Sequence, residues 1–382
     1  MKLEALVICK DHYNPLNVVR ALGKANIIVH VIVIDSGKCP MVLKSRYVTR
    51  GYTCASSNLL DLLDKLFAKR EIPLPVFSTD DFTASWLDER LHELPSCLKP
   101  FNCGGKHPSI NYWMDKDLQL EAAKSVGIKV PKSVVVSLDN IGEIESLISG
   151  FEYPCIVKPE KSITGSKHDF RICNNAEEIN KNLQDIPKTI GDVLIQQYIS
   201  NDEVFLIHGM RDSHGHNHSG GIVYKKKACN DVWNMGLNAF GTWQYHTLFL
   251  TKIESLLNAI DYHGLYSVEF VKRHNNNPGI ADETSVMLEI NLRTDGLMYF
   301  CTEAGINLPE LWVLDCYGYN LPDIKPRKSK VYGMSEFSYI RQYVKISSLV
   351  TNIRDFMRAD VFSHFSWRDP MPFFHKILGG SK

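Results

Sequence analysis

The sequence has no long hydrophobic run. Its longest apolar stretch, Ile27–Ile34, is about eight residues and is interrupted by His30, well short of the roughly 20 residues a helix needs to cross a bilayer, so no membrane association is expected. Excess charge of either sign is also lacking, since 43 Lys and Arg balance 43 Asp and Glu. Nucleic-acid binders rely on surplus Lys and Arg to displace counterions from phosphates, so no nucleic-acid partner is expected. The chain contains no GxGxxG motif, which removes support for a dinucleotide site. It also contains no CxxC pair. Its ten cysteines are scattered, several of them inside apolar runs (Cys9, Cys155, Cys301), where a thiol acts as a small hydrophobe. The N-terminal MKLEALVICKDHY holds only five apolar residues between charges, too few for an export signal. A reduced, cytoplasmic protein without a disulfide framework is therefore expected.

What is present is ordinary globular material. The 382 residues are 44% hydrophobic, enough for one large core or two to three modest ones, and disorder is excluded as a global description. The first ~105 residues alternate strand and helix signals. Ala5–Cys9, the β-branched Ile27–Ile34 and Pro75–Ser78 read as strands, and Asn17–Lys24 and the Leu59–Phe67 stripe as helices. This βαβα order predicts a small parallel sheet, with binding loops at the strand carboxyl ends: Lys10–Pro15, Ser36–Tyr47 and Thr79–Phe82. Asp11, His12 and Asn14, and the pair Asp80 and Asp81, are thereby candidate substrate contacts. A Pro-, Gly- and Cys-rich loop, Pro95–Pro108, separates the next unit. There Asp115–Val126 is a predicted helix closed by Gly127. Ser133–Val136 and Tyr153–Lys158 are predicted strands around a helix at Asn140–Ile148. From about Gly191 a third unit is expected, with strands Val193–Gln197, Val204–Met210, Gly220–Lys225, Tyr266–Val271 and Val286–Leu292. Leu250–Ile260 has helical spacing of Ile253, Leu256, Leu257 and Ile260, and Ser348–Phe356 is a further expected helix.

The most informative segment is Val286–Arg293. As a strand it sends alternate side chains to opposite faces, so Leu288, Ile290 and Leu292 are expected in the core, with Glu289, Asn291 and Arg293 about 7 Å apart on the other face. Carboxylate and amide oxygens suit a hard cation, and a guanidinium beside them suits a phosphoryl group; an exposed polar sheet face is the competing reading. Glu269 in Tyr266–Val271 supplies a second acid, and a short hairpin at His274–Gly279 is expected to bring it beside Glu289. Lys158, at the end of the apolar strand Tyr153–Pro159, calls for an anion such as phosphate. The small-residue segment Glu160–Lys167 after it could offer backbone N–H groups to phosphates, though by itself it reads better as a plain surface turn. His214–His218 reads as a solvated hairpin loop despite its three histidines. In the basic run Tyr224–Lys227, Lys226 is a candidate for an acidic substrate or a γ-phosphate.

Taken in order, Lys116, YPCIVKP (153–159), the Ser162–Ser166 loop, LIQQYISNDE (194–203), YSVEF (266–270) and MLEINLRTDG (287–296) resemble the ATP-grasp superfamily. The resemblance covers about residues 106–320 and is nearest to carboxylate–amine ligases of the D-aspartate-ligase-like kind. Supporting features are Ser45–Tyr47, Thr79–Asp81, Gly127–Pro131 and Ala304–Pro309. It implies an α/β (α+β) ATP-grasp fold with four parts. These are a Rossmann-like preATP-grasp domain (1–105), an N-lobe with the phosphate loop (106–190), a C-lobe with metal and catalytic residues (191–327) and a C-terminal helical extension (328–382). It further implies ATP and one or two Mg²⁺ ions as cofactors, with Mn²⁺ able to substitute, and small-molecule carboxylate and amine substrates. Lys116, Lys158, Ser162, Gly165 and Ser166 would contact ATP phosphates. Gln196, Gln197, Tyr198 and Ile199 would hold adenine, and Glu203 the ribose. Glu269, Glu289 and Asn291 match the metal ligands, Arg293 and Lys158 the catalytic groups. Leu292 stands where many relatives have proline, and the phosphate loop is poorer in glycine than most. The tail, with Trp367–Pro372, is expected to cap the substrate cleft or to form a homodimer contact. An ATP-grasp small-molecule kinase and a non-catalytic nucleotide-binding module are the alternatives.

Overall fold

The computed structural model describes residues 2–36, 39–139, 144–161, 170–199, 203–225, 238–241, 247–272, 284–337 and 349–379. Three sheets organise them. The first is parallel throughout: β1 (Glu4–Cys9), β2 (Ile28–Ile34), β3 (Val48–Cys54), β4 (Leu74–Ser78) and β5 (Leu98–Lys99) lie in the order β3-β2-β1-β4-β5. Helices α1 (Tyr13–Lys24), α2 (Leu59–Phe67) and α3 (Asp81–Glu89) connect the strands. Leu6 and Ile8 pack with Leu59, Leu63 and Trp86, whereas Ala5, Val7 and Cys9 share a core with α1 and the third sheet. This is the doubly covered sheet that continuous β-branched runs produce. β3 is an addition to the expected elements. As an edge strand with mostly exposed or half-buried side chains it carries no apolar run that could announce it.

β6 (Asn102–Cys103) leads to α4 (Lys116–Ser125), which ends where Gly127 adopts φ +76, a conformation that favours glycine. The second sheet is antiparallel: β7 (Ser133–Ser137), β8 (Cys155–Pro159), β9 (Arg171–Cys173) and β10 (Asp192–Gln197) in the order β7-β10-β8-β9. Helices α5 (Ile144–Leu147) and α6 (Ala176–Asp185) accompany it. Val157, Cys173, Ile179, Leu183, Val193 and Ile195 belong to a core of its own. The placement of β10 corrects the expected boundary at residues 190 and 191, because Val193–Gln197 pairs with β8 and β7 rather than with the strands that follow it.

The third sheet has eight strands: β11 (Glu203–Arg211), β12 (Asn217–Lys225), β13 (Asn238–Gly241), β14 (Tyr262–Lys272), β15 (Val286–Asn291), β16 (Lys330–Met334) and β17 (Val361–Phe362), with β6 paired to β14. Helices α7 (Thr247–Ile260), α8 (Tyr299–Ala304) and α9 (Leu308–Cys316) complete it. The predicted stripe of α7 is buried: Ile253, Leu256, Leu257 and Ile260 are at most 2% exposed. The C-terminal segment departs from the expected helical tail. β13 still has an edge to offer beyond β12, and β16 fills it, followed by β17; the helices Leu349–Arg358 and Met371–Ile377 are only part of this segment. The segment also docks on the first unit. Arg20 donates to Asp369 Oδ2 (3.0 Å), as does Ser45 Oγ (2.8 Å), while the Arg46 N–H donates to Asp369 Oδ1 (2.9 Å). Among the described residues no helix is long and apolar enough to cross a membrane.

Candidate active site

β14 and β15 run antiparallel, with Ser267 opposite Asn291 and Glu269 opposite Glu289. Directly opposed residues share a face, so the two acids come together as the pattern predicts. The hairpin expected at His274–Gly279 lies outside the described residues. Past Glu289 the register slips, with Phe270 opposite Met287. This bulge corrects one expectation: the extra residue is Leu288, which is half-buried, and Met287 takes its place in the core beside Ile290 and Leu292. β15 is the sheet edge, and at Ile290 its outward groups are satisfied by a side chain of α4. Gln119 Oε1 accepts from the Ile290 N–H (3.0 Å) and Gln119 Nε2 donates to the Ile290 carbonyl (3.1 Å). A buried amide thus locks the strand between Glu289 and Asn291 in place.

Two buried lysines lie within the electrostatic reach of these acids. Lys158, next to last in β8, is 6% exposed and donates to Gln196 Oε1 (3.1 Å). Burial pushes its ammonium down to about 8, against the pull of Glu289 and Glu269, while Lys116 pushes the same way as burial. Lys116, on the first turn of α4, donates to the carbonyls of Pro159 and Glu160, both at 3.0 Å. Burial lowers it too, with Glu289 the strongest opposing charge. Both lysines therefore sit in the field of the carboxylate on the third sheet. Gln196, 2% exposed, has an Nε2 without a hydrogen-bond partner among the described residues. A buried donor left unpaired is costly, and a bound ligand is one way to satisfy it.

Arg293 follows β15. Its Nε and Nη2 donate to the two carboxylate oxygens of Asp81, at 2.6 and 3.1 Å, and its Nη1 donates to the Thr294 carbonyl (3.2 Å). Burial works against the guanidinium charge, but Asp81, Asp295 and Glu289 outweigh it, and the group is held above its usual range. Behind it, Asp295 pairs with the fully buried His208 (3.0 Å) and accepts from the N–H groups of Leu297 and Met298. Burial opposes its ionisation; His208, Ser267 and the Leu297 N–H prevail and hold it well below the carboxylate range. Ser267 in turn accepts from Asn291 Nδ2 (3.3 Å). The chain His208–Asp295–Ser267–Asn291 thus orients an expected metal ligand from the core. The sequence alone does not single out Gln119 and His208, whose only signal is polarity inside an otherwise apolar helix face or strand, and Asp295 is reached only as part of the 287–296 segment, with no role of its own.

The remaining candidates fall in several places. Asp11 Oδ1 accepts from the Met41 N–H (3.0 Å), and His12 caps α1. Burial, then the neighbouring His364 and Lys376, push His12 down to about 4. Asn14 donates to the Thr79 carbonyl (3.3 Å). Asp80 caps α3, accepting from the Thr83 N–H (2.9 Å) and from the Lys10 N–H (3.2 Å). These loop residues stitch the carboxyl end of the first sheet together. The N–H groups of Gln197 and Tyr198 are occupied by the carbonyls of Lys132 (2.8 Å) and Pro154 (2.9 Å), and Ile199 follows directly. Ser162, Gly165, Ser166, Lys226 and the side chain of Glu203 lie outside the described residues. Lys225, beside Lys226, pairs with Glu269 (2.9 Å). The His214–His218 turn is organised by Asp212, which accepts from the N–H groups of His214 and His216 and from the His218 ring (2.9 Å).

Among the described residues no cluster of three His, Cys, Asp or Glu side chains is placed to hold a metal ion. Two carboxylates and an amide (Glu269, Glu289, Asn291) fit Mg²⁺ nonetheless, since that ion takes one or two protein carboxylates and completes its octahedron with phosphates and water.

No protein-family model matches the chain. A D-alanine–D-alanine ligase of Fusobacterium nucleatum is 36% identical over 91 residues, which span about a quarter of each protein: 24% of this chain and 26% of the relative. Solved structures match over most of the chain. Biotin carboxylase from Campylobacter jejuni, crystallised with an ATP analogue, superposes with a TM-score of 0.65 at 15% identity, covering 85% of this chain and 74% of that one. N5-carboxyaminoimidazole synthetase from Staphylococcus aureus gives 0.62 at 18%, covering 86% and 81%. L-amino acid ligase from Bacillus licheniformis gives 0.61 at 15%, covering 85% and 78%. With three sheets in this arrangement and these structural relatives, the chain has the ATP-grasp fold.

Proposed function

We propose that the chain is an ATP- and Mg²⁺-dependent ligase that activates a carboxylate as an acyl phosphate and joins it to an amine, releasing ADP and phosphate. The observation that carries this reading is the convergence of two buried lysines, Lys158 on the second sheet and Lys116 on α4, with Glu289, Glu269, Asn291 and Arg293 on or just past β14 and β15. Proteins similar in sequence or fold support it: the matched relative is a D-alanine–D-alanine ligase and one structural neighbour an L-amino acid ligase. A biotin carboxylase domain from Hydrogenobacter thermophilus, similar in fold, was solved with MgADP and bicarbonate.

Lys116 and Lys158 neutralise the phosphates, so an anionic carboxylate can approach the γ-phosphorus. Gln196 offers its unpaired Nε2 to the nucleotide, and the Gln197–Ile199 backbone and Glu203 complete the adenine and ribose site. Glu269, Glu289 and Asn291 would hold Mg²⁺, or Mn²⁺ in its place, and the ion would supply positive charge against the phosphoryl oxygens. A substrate oxygen bonds to the γ-phosphorus as the bridge to ADP breaks. Arg293 steadies the equatorial oxygens during this transfer, which asks mainly for positioning and electrostatics. The amine nitrogen then attacks the acyl carbon, loses a proton, and phosphate departs. Nine free cysteines among the described residues accord with a reducing, cytoplasmic setting.

The test is ADP release over a panel of amino acids and acidic sugars with MgATP, using hydroxylamine as the amine. A hydroxamate is the expected product. ADP accompanied by a stable phosphorylated acid or alcohol would make the protein a kinase instead, and no ADP or hydroxamate with any pair would point to a binding module.

A further inference from the structure

The sequence places Asp81 among substrate contacts, but its two carboxylate oxygens are both committed to Arg293. We propose that Asp81 is the positioning residue for Arg293, carried in from the first sheet's unit to hold the guanidinium at the point of phosphoryl transfer. The inference rests on the ligase reading of Arg293 given above.

Several observations support it. A guanidinium ends a long chain with many rotamers, so its use as a fixed donor requires an anchor. Here the anchor is two-point and planar, at 2.6 and 3.1 Å, between side chains that are 14% and 28% exposed. Asp80 caps α3, so Asp81, the first residue of that helix, is left for another task. The two chain segments are tied together around the pair. The Thr294 N–H (3.3 Å) and Oγ1 (2.8 Å) donate to the Ser78 carbonyl, and Asn17 Nδ2 donates to the Gly296 carbonyl (3.0 Å). Gly296 is required there, because a Cβ would come within 2.3 Å of Tyr13. Of the five N–H donors of an arginine, Asp81 takes two and the Thr294 carbonyl one. The remaining donors suffice for two phosphoryl oxygens.

The experiment compares the affinity of the full chain for MgADP with its affinity for MgADP plus aluminium fluoride, a mimic of the transferring phosphoryl group. Wild type is expected to bind the fluoroaluminate complex more tightly, by about 10²-fold, the usual size of one transition-state donor. Asp81→Asn should lose most of that gain while its MgADP affinity stays within about twofold of wild type. Asp81→Glu should recover part of it, and its folding serves as the second variant if Asp81→Asn is unstable. In an Arg293→Ala background, Asp81→Asn should cost nothing further, as expected of two residues acting as a unit. Full gain in Asp81→Asn, or additive losses in the double variant, overturns the positioning role. Full gain in Arg293→Ala, or none in wild type, overturns the ligase reading itself, and the positioning role with it.

Discussion

The four-stranded and eight-stranded sheets contribute different groups to the site, Lys158 from the one and Glu269, Glu289, Asn291 and, just past β15, Arg293 from the other, and they are anchored in different ways. The eight-stranded sheet shares one continuous core with the first sheet, in which Phe77, Phe101 and Trp312 meet edge to face at 5.8 and 5.3 Å. The four-stranded sheet has a separate core around Ile179 and Leu183. It meets the rest at a few places: Lys116 on the carbonyls of Pro159 and Glu160, Lys161 on Asp115 (3.3 Å), and the Met287 N–H on the Lys129 carbonyl (2.8 Å). The proposed metal ligands thus stand on the body that is built as one piece, and Lys158, the proposed phosphate lysine, on the part with its own core. A separately packed part can move as a unit and cover a reacting phosphate.

The largest effect is expected on the rigid side. Glu289→Ala should lower MgATP-dependent turnover by about 10³-fold or more while moving the nucleotide-free melting temperature by less than about 2 °C. Scanning calorimetry decides this, and a large fall in melting temperature would reassign Glu289 to structure. Next comes the independence of the cores. Ile179→Ala should destabilise the four-stranded sheet by about 2–4 kcal/mol and speed amide exchange in β7, β8 and β10 but not in β11 and β14. Acceleration in all of them together would show a single cooperative unit. The smallest effect concerns protonation of Lys158. Its ammonium sits at about 8 in the folded chain and near 10.4 when unfolded. Between those values the unfolded chain binds more protons, so stability should rise with pH across that window. Bound phosphate favours the charged lysine, so MgATP affinity should fall above pH ~8, by at most tenfold per unit, with proton uptake on binding. Calorimetry in buffers of different ionisation heat measures this, and Lys158→Met should abolish it; unchanged uptake in that variant would remove Lys158 from the phosphate site.

Much of this architecture was legible in the chain because it depends on short-range periodicity. The β-branched runs of β1 and β2, the stripe of α7 and the alternation of Glu289, Ile290, Asn291 and Leu292 are one-dimensional signals. Where a partner decides the outcome the pattern failed. Alternation alone puts Leu288 in the core because a bulge leaves no mark on it, and chain order alone puts β10 with the strands that follow because the choice of neighbour is made across distant strands. Gln119 and Asp295 look like ordinary polar residues until the edge strand or histidine they serve comes beside them.

By itself, the order of residues determined the kinds of element, the acids at 269 and 289, the lysines at 116 and 158 and the arginine at 293, since side-chain type and strand period are local properties. Only the tertiary structure decided which of them meet. That Asp81 grips Arg293 from 212 positions away and that Lys158 comes into the field of Glu289 follow from packing three sheets against one another. Electrostatic partnership depends on distance in space, and distance along the chain says almost nothing about it.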